Sequence, residues 1–252
     1  MDRICADNVV VEFPIYDGVK SRSFKKRFIH AATGGLLARD AGERVVVRAL
    51  SNVSFTLRDG DRLGIMGHNG SGKSTLLRTI VGAYEPVAGR MEVHGRIASM
   101  LSILLGMDFE ATGYENIFLR ATVMGFHRRE IAPLVDDIAA FSELGDYLDM
   151  PLRTYSSGMA MRLAFAVSTS VRADIVLMDE WLSAGDAEFA VKAQTRLQQM
   201  IDAAQVLVLA SHDEALIRRT CNRLLRLEHG EVRELIALPR EADAPALRAH
   251  AG

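Results

Sequence analysis

The sequence is poor in cysteine, carries no excess of one charge and contains no long hydrophobic run. Its two cysteines, Cys5 and Cys221, lie far apart and show no metal-type spacing, so they offer no zinc site and predict reduced cytosolic thiols. Thirty Lys and Arg against 32 Asp and Glu leave a formal net charge of −2. No global basic field marks a nucleic-acid partner, and none is expected. No apolar stretch approaches the roughly 20 residues that a helix needs to span a bilayer. Asp2, Arg3 and Asp7 interrupt any secretory pattern at the start of the chain. Internal repeats and low-complexity tracts are absent as well. With 252 residues and 49% hydrophobic content, the chain has room for one large domain or two small ones.

What is present centres on Gly67-His68-Asn69-Gly70-Ser71-Gly72-Lys73-Ser74-Thr75, which fits G-x-x-x-x-G-K-[ST]. The glycines let the backbone curl so that successive N–H groups point at phosphate oxygens. Lys73 supplies a point charge for the β- and γ-phosphates, and the Ser74 hydroxyl suits Mg²⁺. The flanks agree: Leu63–Met66 reads as a short buried strand and Ser74–Val81 as a helix whose N-terminus favours anions.

Further along come Tyr155-Ser156-Ser157-Gly158-Met159 before an apolar helical run, Asp174 to Glu180, Ser183-Ala184-Gly185-Asp186, and Ser211-His212-Asp213 after the run 206–210. Each is weak alone; a Ser-Gly turn before a helix is ordinarily an N-cap. In this order they resemble the signature motif, Walker B, D-loop and switch histidine of ATP-binding-cassette (ABC) ATPases. The fold implied is α/β: a P-loop NTPase core with an antiparallel β subdomain and a helical signature subdomain. One ATPase domain is expected over 1–236, followed by a short tail over 237–252.

The remaining pattern predicts strands over 4–13, 45–47, 53–57 and, around Gly95, 91–100. Helical periodicity covers 114–123, 130–141 with Pro133 in a first turn, and 187–203. The stretch 106–172 is helix-dominated. The continuous apolar runs 175–178 and 206–209 suit parallel strands covered on both faces. Residues 17–43 read as a basic insertion carrying Lys20, Arg22, Lys25, Lys26 and Arg27.

Residue roles follow from this placement. Asp179, ending a buried strand, is the candidate to hold Mg²⁺, and Glu180 to polarise the attacking water. His212 is placed to contact the γ-phosphate. The resemblance implies ATP and Mg²⁺ as cofactors and a head-to-tail dimer with a second copy. Ser156, Ser157 and Gly158 would then serve the partner's nucleotide, and Asp186 would cross the same interface. Phe13 is the first candidate to stack on adenine and Tyr16 the second; the plain alternative for Phe13 is a core residue.

Leu152-Arg153-Thr154-Tyr155-Ser156-Ser157-Gly158-Met159, Ala111-Thr112-Gly113-Tyr114-Glu115-Asn116-Ile117 and Ala184 to Phe189 are similar to the ATPase subunits of polysaccharide exporters. That resemblance covers about residues 4–235. It implies a lipid-diphosphate-linked, O-antigen-type glycan as substrate and a multi-spanning permease as partner. It also implies a peripheral position on the cytoplasmic face of the bacterial inner membrane. Rival readings are an ABC exporter of another lipid or small molecule, and a soluble ABC ATPase. Ser21–His30, with Phe24 and Phe28 one turn apart, corresponds to the gate helix of O-antigen exporters; its alternative is a solvated basic loop. Two departures stand out. Ser102 occupies the Q-loop position, where the family has Gln, Glu or Asp as a metal or water contact. The tail after 236 is too short for a carbohydrate-binding β-sandwich of about 100 residues.

Overall fold

A computed structural model describes residues 1–14, 37–39, 45–180 and 187–239. Tyr16, the basic insertion except for 37–39 (Ser21–His30 included), the D-loop with Asp186, and the tail from 240 lie outside the described residues. The chain divides into two compact units, 1–93 with 208–252, and 94–207.

The first unit holds an antiparallel sheet of β1 (Asp2–Pro14), β2 (Leu37–Arg39), β3 (Val45–Arg58) and β5 (Ala88–Val93), in the order β2-β3-β1-β5. The two strands expected over 45–57 are one strand of 14 residues. Its pairing with β1 absorbs the irregular middle through register shifts (Val11 pairs with Leu50, Val9 with Val53), and Asn52 takes a left-handed φ of 51°. The period-two pattern survives: Val53, Phe55 and Leu57 are buried while Ser54 is exposed.

The same unit contains β4 (Arg62–Met66), parallel to β9 (Arg223–Glu228), with β10 (Glu231–Ala237) antiparallel to β9. The last residues of β8 (Val206–Ala210) lie beside β4, and all five of its residues are buried. Leu63 and Ile65 of β4 are fully buried too, so the continuous apolar runs reflect strands covered on both faces. Helix α1 (Lys73–Ile80) starts one residue before the expected helix and buries Leu76, Leu77 and Ile80. Strand β10 reaches Ala237, and the buried Leu238 donates its N–H to Asn222 O at 2.8 Å, so ordered packing passes residue 236.

The second unit pairs β6 (Ile97–Ser99) in parallel with β7 (Ile175–Asp179). The strand expected over 91–100 is therefore two strands in different sheets, β5 and β6. Asp174 marks the break by accepting the Arg96 N–H at 2.8 Å. Helix α2 (Gly113–Val123) begins at a capping box in which Thr112 and Glu115 satisfy each other's backbone N–H groups. The helix expected over 130–141 is three pieces: α3 (Arg128–Ile131), a 3₁₀ turn containing Pro133, and α4 (Val135–Ser142). Proline has no N–H to donate and crowds the preceding turn, so the helix re-forms only after it. Helices α5 (Ser157–Ser170) and α6 (Ala187–Ala203) complete the unit.

Phe141, Phe165 and Phe189 form its aromatic core, with ring centroids 5.5–6.2 Å apart. Truncating a buried phenylalanine of this kind to Ala costs about 3–5 kcal/mol. Arg162, Lys192 and Arg196 cap these rings with their cations.

Candidate functional site

The loop 67–72 leaves β4 and enters α1 directly. Gly67 approaches the β9 backbone so closely that a Cβ there would sit 2.2 Å from Leu227 O. Gly72 holds φ 107°, with a Cβ position 2.7 Å from Ala49 O. Neither position accepts a larger residue without moving backbone. Gly72 is also the N-cap of α1, so the helix has no side-chain cap and no acidic residue in its first turn. The positive end of the helix dipole there favours an anion. The Lys73 ammonium folds back across the loop, donating to Gly67 O at 2.7 Å and His68 O at 3.3 Å. Ser74 and Thr75 follow, half-buried, while His68, Asn69 and Gly70 are exposed.

The turn between β9 and β10 props this loop from below. Gly230 donates its N–H to Ser71 O at 2.9 Å, and the His229 ring lies 4.9 Å from that of His68. Among the described residues, the Ser71 hydroxyl is buried without a hydrogen-bond partner. Ser71→Ala deletes an unsatisfied buried hydroxyl and is expected to raise unfolding stability by about 1 kcal/mol. Urea denaturation of both proteins checks this; a clear loss of stability in the alanine variant contradicts it.

His212 follows β8 and is exposed. Ser211 fixes the strand end by donating its N–H to Ile65 O at 3.1 Å, and the Asp213 carboxylate caps α7 (Glu214–Thr220) by accepting from Leu216 N at 3.1 Å. His212 is thereby set between two anchored neighbours. With Gly67, His68, Arg226, Glu228 and Arg233 it lines a cleft of about 360 Å³, so the first unit brings the loop and His212 together. Phe13 is half-buried at the end of β1 and meets Tyr84 edge-on, ring centroids 5.0 Å apart.

The second unit carries the other candidates. Asp179 ends β7 and Glu180 follows it, both half-buried. Glu180 holds a left-handed φ of 66°, which costs a non-glycine residue on the order of 1–3 kcal/mol. Ser102 lies in the turn after β6 with its side chain exposed. Ser156 is the N-cap of α5, its hydroxyl accepting the Met159 N–H at 3.2 Å. Ser156 and Gly158 line a cleft of about 540 Å³ with Glu143, Tyr147 and Arg162. Tyr155, just before them, donates its hydroxyl to Tyr147 O at 2.6 Å, and burial pushes its pKa up to about 12. A Cβ on Gly158 would meet nothing closer than Ser156 Oγ at 3.8 Å. Nothing among the described residues requires a glycine there.

Sequence reasoning missed Arg120. It is 2% exposed, and burial lowers its guanidinium to about 10, still cationic at neutral pH. The signal was available: Arg120 sits with Ile117 and Ala121 at the i, i+3, i+4 spacing of a buried helix face.

A family model described as ABC transporter matches residues 50–183. The chain belongs to the ABC transporter family. This ABC cassette is 44% identical over 234 residues to the O-antigen export system ATP-binding protein RfbE of Yersinia enterocolitica, covering 93% of the chain and 98% of that relative. It is 36% identical to the O-antigen export system ATP-binding protein RfbB of Klebsiella pneumoniae, covering 90% and 91%. The dimeric post-hydrolysis structure of the ATP-binding cassette MJ0796 bound to ADP and Pi matches with a TM-score of 0.66 at 20% identity, over 94% of the chain and 99% of that structure. The α/β cassette fold, with its antiparallel sheet and helices, is thus the fold of this ABC ATPase. The cassette is an ATPase by family.

Proposed function

We propose that this cassette is the ATP-hydrolysing subunit of an exporter that moves a lipid-diphosphate-linked polysaccharide of the O-antigen type across the bacterial inner membrane. The observation that carries this reading is the 44% identity spanning nearly the full length of an O-antigen export ATP-binding protein. The uncapped N-terminus of α1 and the Lys73 ammonium suit the β- and γ-phosphates of ATP. Loop residues Gly67 to Thr75 line that cradle, and Phe13 or Tyr16 supplies the adenine contact.

Hydroxyl and carboxylate oxygens are the donors Mg²⁺ prefers, and Ser74 and Asp179 offer them; Ser102 would reach the ion through water. Bound there, Mg²⁺ would neutralise charge on the phosphates. Glu180 orients and deprotonates the attacking water, and His212 donates to the γ-phosphate. Ser156, Ser157 and Gly158 serve the nucleotide of a second copy, which gives the unexplained glycine a reason: it lets a phosphate approach the backbone of α5. Asp186 crosses that interface.

We assign the pore to a separate multi-spanning permease because the relatives are named as ATP-binding proteins of export systems; no helix among the described residues is long and apolar enough to cross a membrane. An apolar groove of about 830 Å³ beside α2 suits its docking: Tyr114, Leu119 and Val123 there expose 38, 40 and 55% of their surface. The subunit then sits peripherally on the cytoplasmic face, with the basic segment Ser21–His30 towards lipid headgroups.

Lys73→Ala tests the assignment in cells that make the glycan. Surface polysaccharide should disappear and lipid-linked polymer should accumulate inside, as seen on immunoblots of cell surface and lysate. Undiminished surface polymer overturns the substrate.

A further inference from the structure

We propose that Arg120 is a positioning residue for ATP hydrolysis, clamping the turn 101–106 after β6 to the helix that begins at the signature motif. Three observations carry this. The guanidinium of Arg120, on α2, donates to two carbonyls of that turn through Nη1, Ser102 O at 3.3 Å and Leu105 O at 2.5 Å. From its other side it donates to one hydroxyl of α5, Ser168 Oγ, through Nη2 at 3.1 Å and Nε at 3.3 Å. Ser168 spends its own proton on Ala164 O at 2.7 Å, so its lone pairs face the cation.

Among the described residues, the hydrogen-bond partners of this buried arginine are carbonyls and a hydroxyl, none of them a carboxylate. Burying a guanidinium against neutral acceptors alone is costly, and an apolar residue would pack the site without that cost. The arrangement is explained when the fork itself has a task. A planar guanidinium can hold two elements at a fixed distance and angle, which a lysine cannot.

The two elements are functionally distinct. The turn presents Ser102, the proposed metal or water contact. Helix α5 presents Ser157 and Gly158 at its start, eleven residues or about 16 Å from Ser168 along a rigid helix. A second tie joins the segments that follow the turn and precede α5. Asn116, fully buried, donates to the carbonyls of Asp108, Ala111 and Thr112, while Arg153 N donates to Phe109 O at 2.9 Å and Leu152 N to Ala111 O at 3.0 Å. The Arg120 fork is the part that reaches the turn itself. Through it, turn and signature helix shift as one body, so that the water contact and the signature take up their hydrolytic positions together.

The inference rests on the ATPase site assigned above. The test is steady-state ATP hydrolysis by the purified full chain and by Ser168→Ala, Arg120→Met and the double variant. Rates are normalised to sites that bind a fluorescent ATP analogue, and melting temperatures are recorded. Ser168→Ala keeps a good helix former and leaves the P-loop untouched. We expect kcat per binding site to fall about tenfold in each single variant with KM for ATP within about twofold, the double variant being no slower than Arg120→Met. A merely structural arginine would lower the melting temperature and the number of binding sites but leave kcat per site unchanged. That result, or losses that multiply in the double variant, overturns the clamp. If Arg120→Met does not fold, Ser168→Ala alone decides by the same criterion. Normal kcat in variants of an active chain rejects the clamp alone, whereas an unaltered chain that binds analogue without hydrolysing ATP rejects the ATPase site and the clamp with it.

Discussion

Glu180→Gln is expected to bind MgATP normally and to hydrolyse it at least about a hundredfold more slowly than the unaltered chain. The amide keeps the size and planarity of the carboxylate but cannot accept the water's proton. The left-handed φ of 66° at Glu180 supports a functional reason for this residue, since a glycine or asparagine would hold that conformation at lower cost. With hydrolysis blocked and binding intact, ATP should hold two copies together. Size-exclusion chromatography with and without ATP should show a dimer only with nucleotide. Turnover at the native rate, or a monomer at saturating ATP, rejects Glu180 as the base.

Ser156→Arg should abolish hydrolysis while the chain still binds ATP. The hydroxyl of Ser156 caps α5, and its loss alone costs about 1 kcal/mol, too little to unfold a domain. The long cation is what blocks approach to the helix N-terminus. If the signature acts on the nucleotide of the other copy, Ser156→Arg and Lys73→Ala complement each other. Each mixed dimer then has one site free of both lesions and one site carrying both. An equimolar mixture of the two inactive proteins should recover roughly a quarter of native activity, because half of the random dimers are mixed and each keeps one of two sites. A mixture that neither pairs with ATP nor hydrolyses it shows that the two motifs do not meet across a dimer.

Both predictions draw on motifs readable from the chain alone, and the reason is local. A P-loop works through backbone geometry and a few side chains within nine residues, so spacing encodes it. The runs at 175–178 and 206–209 announced strands buried on both faces for the same reason: every consecutive residue had to be apolar. Even the N-cap at Ser156 was legible, because a cap is a contact between residues three apart.

Tertiary structure decided the rest wherever the cause lies far away in sequence. Periodicity over 91–100 does not show that β5 pairs with β1 while β6 pairs with β7; only the partner strands settle that. The interruption of β3 vanished because a strand tolerates a bulge when its neighbour adjusts register. Pro133 broke a helix whose apolar spacing continued on both sides, since hydrogen bonding and hydrophobic pattern are separate requirements. The helical reading of 114–123 did not single out Arg120. Its burial against Ser102, Leu105 and Ser168 depends on three segments meeting in space. The sequence by itself determined that this chain is an ABC ATPase, since that chemistry is written in short motifs. Only the folded structure showed how the turn after β6 and the signature helix are joined, because that link runs through a buried side chain whose partners lie 15, 18 and 48 residues away.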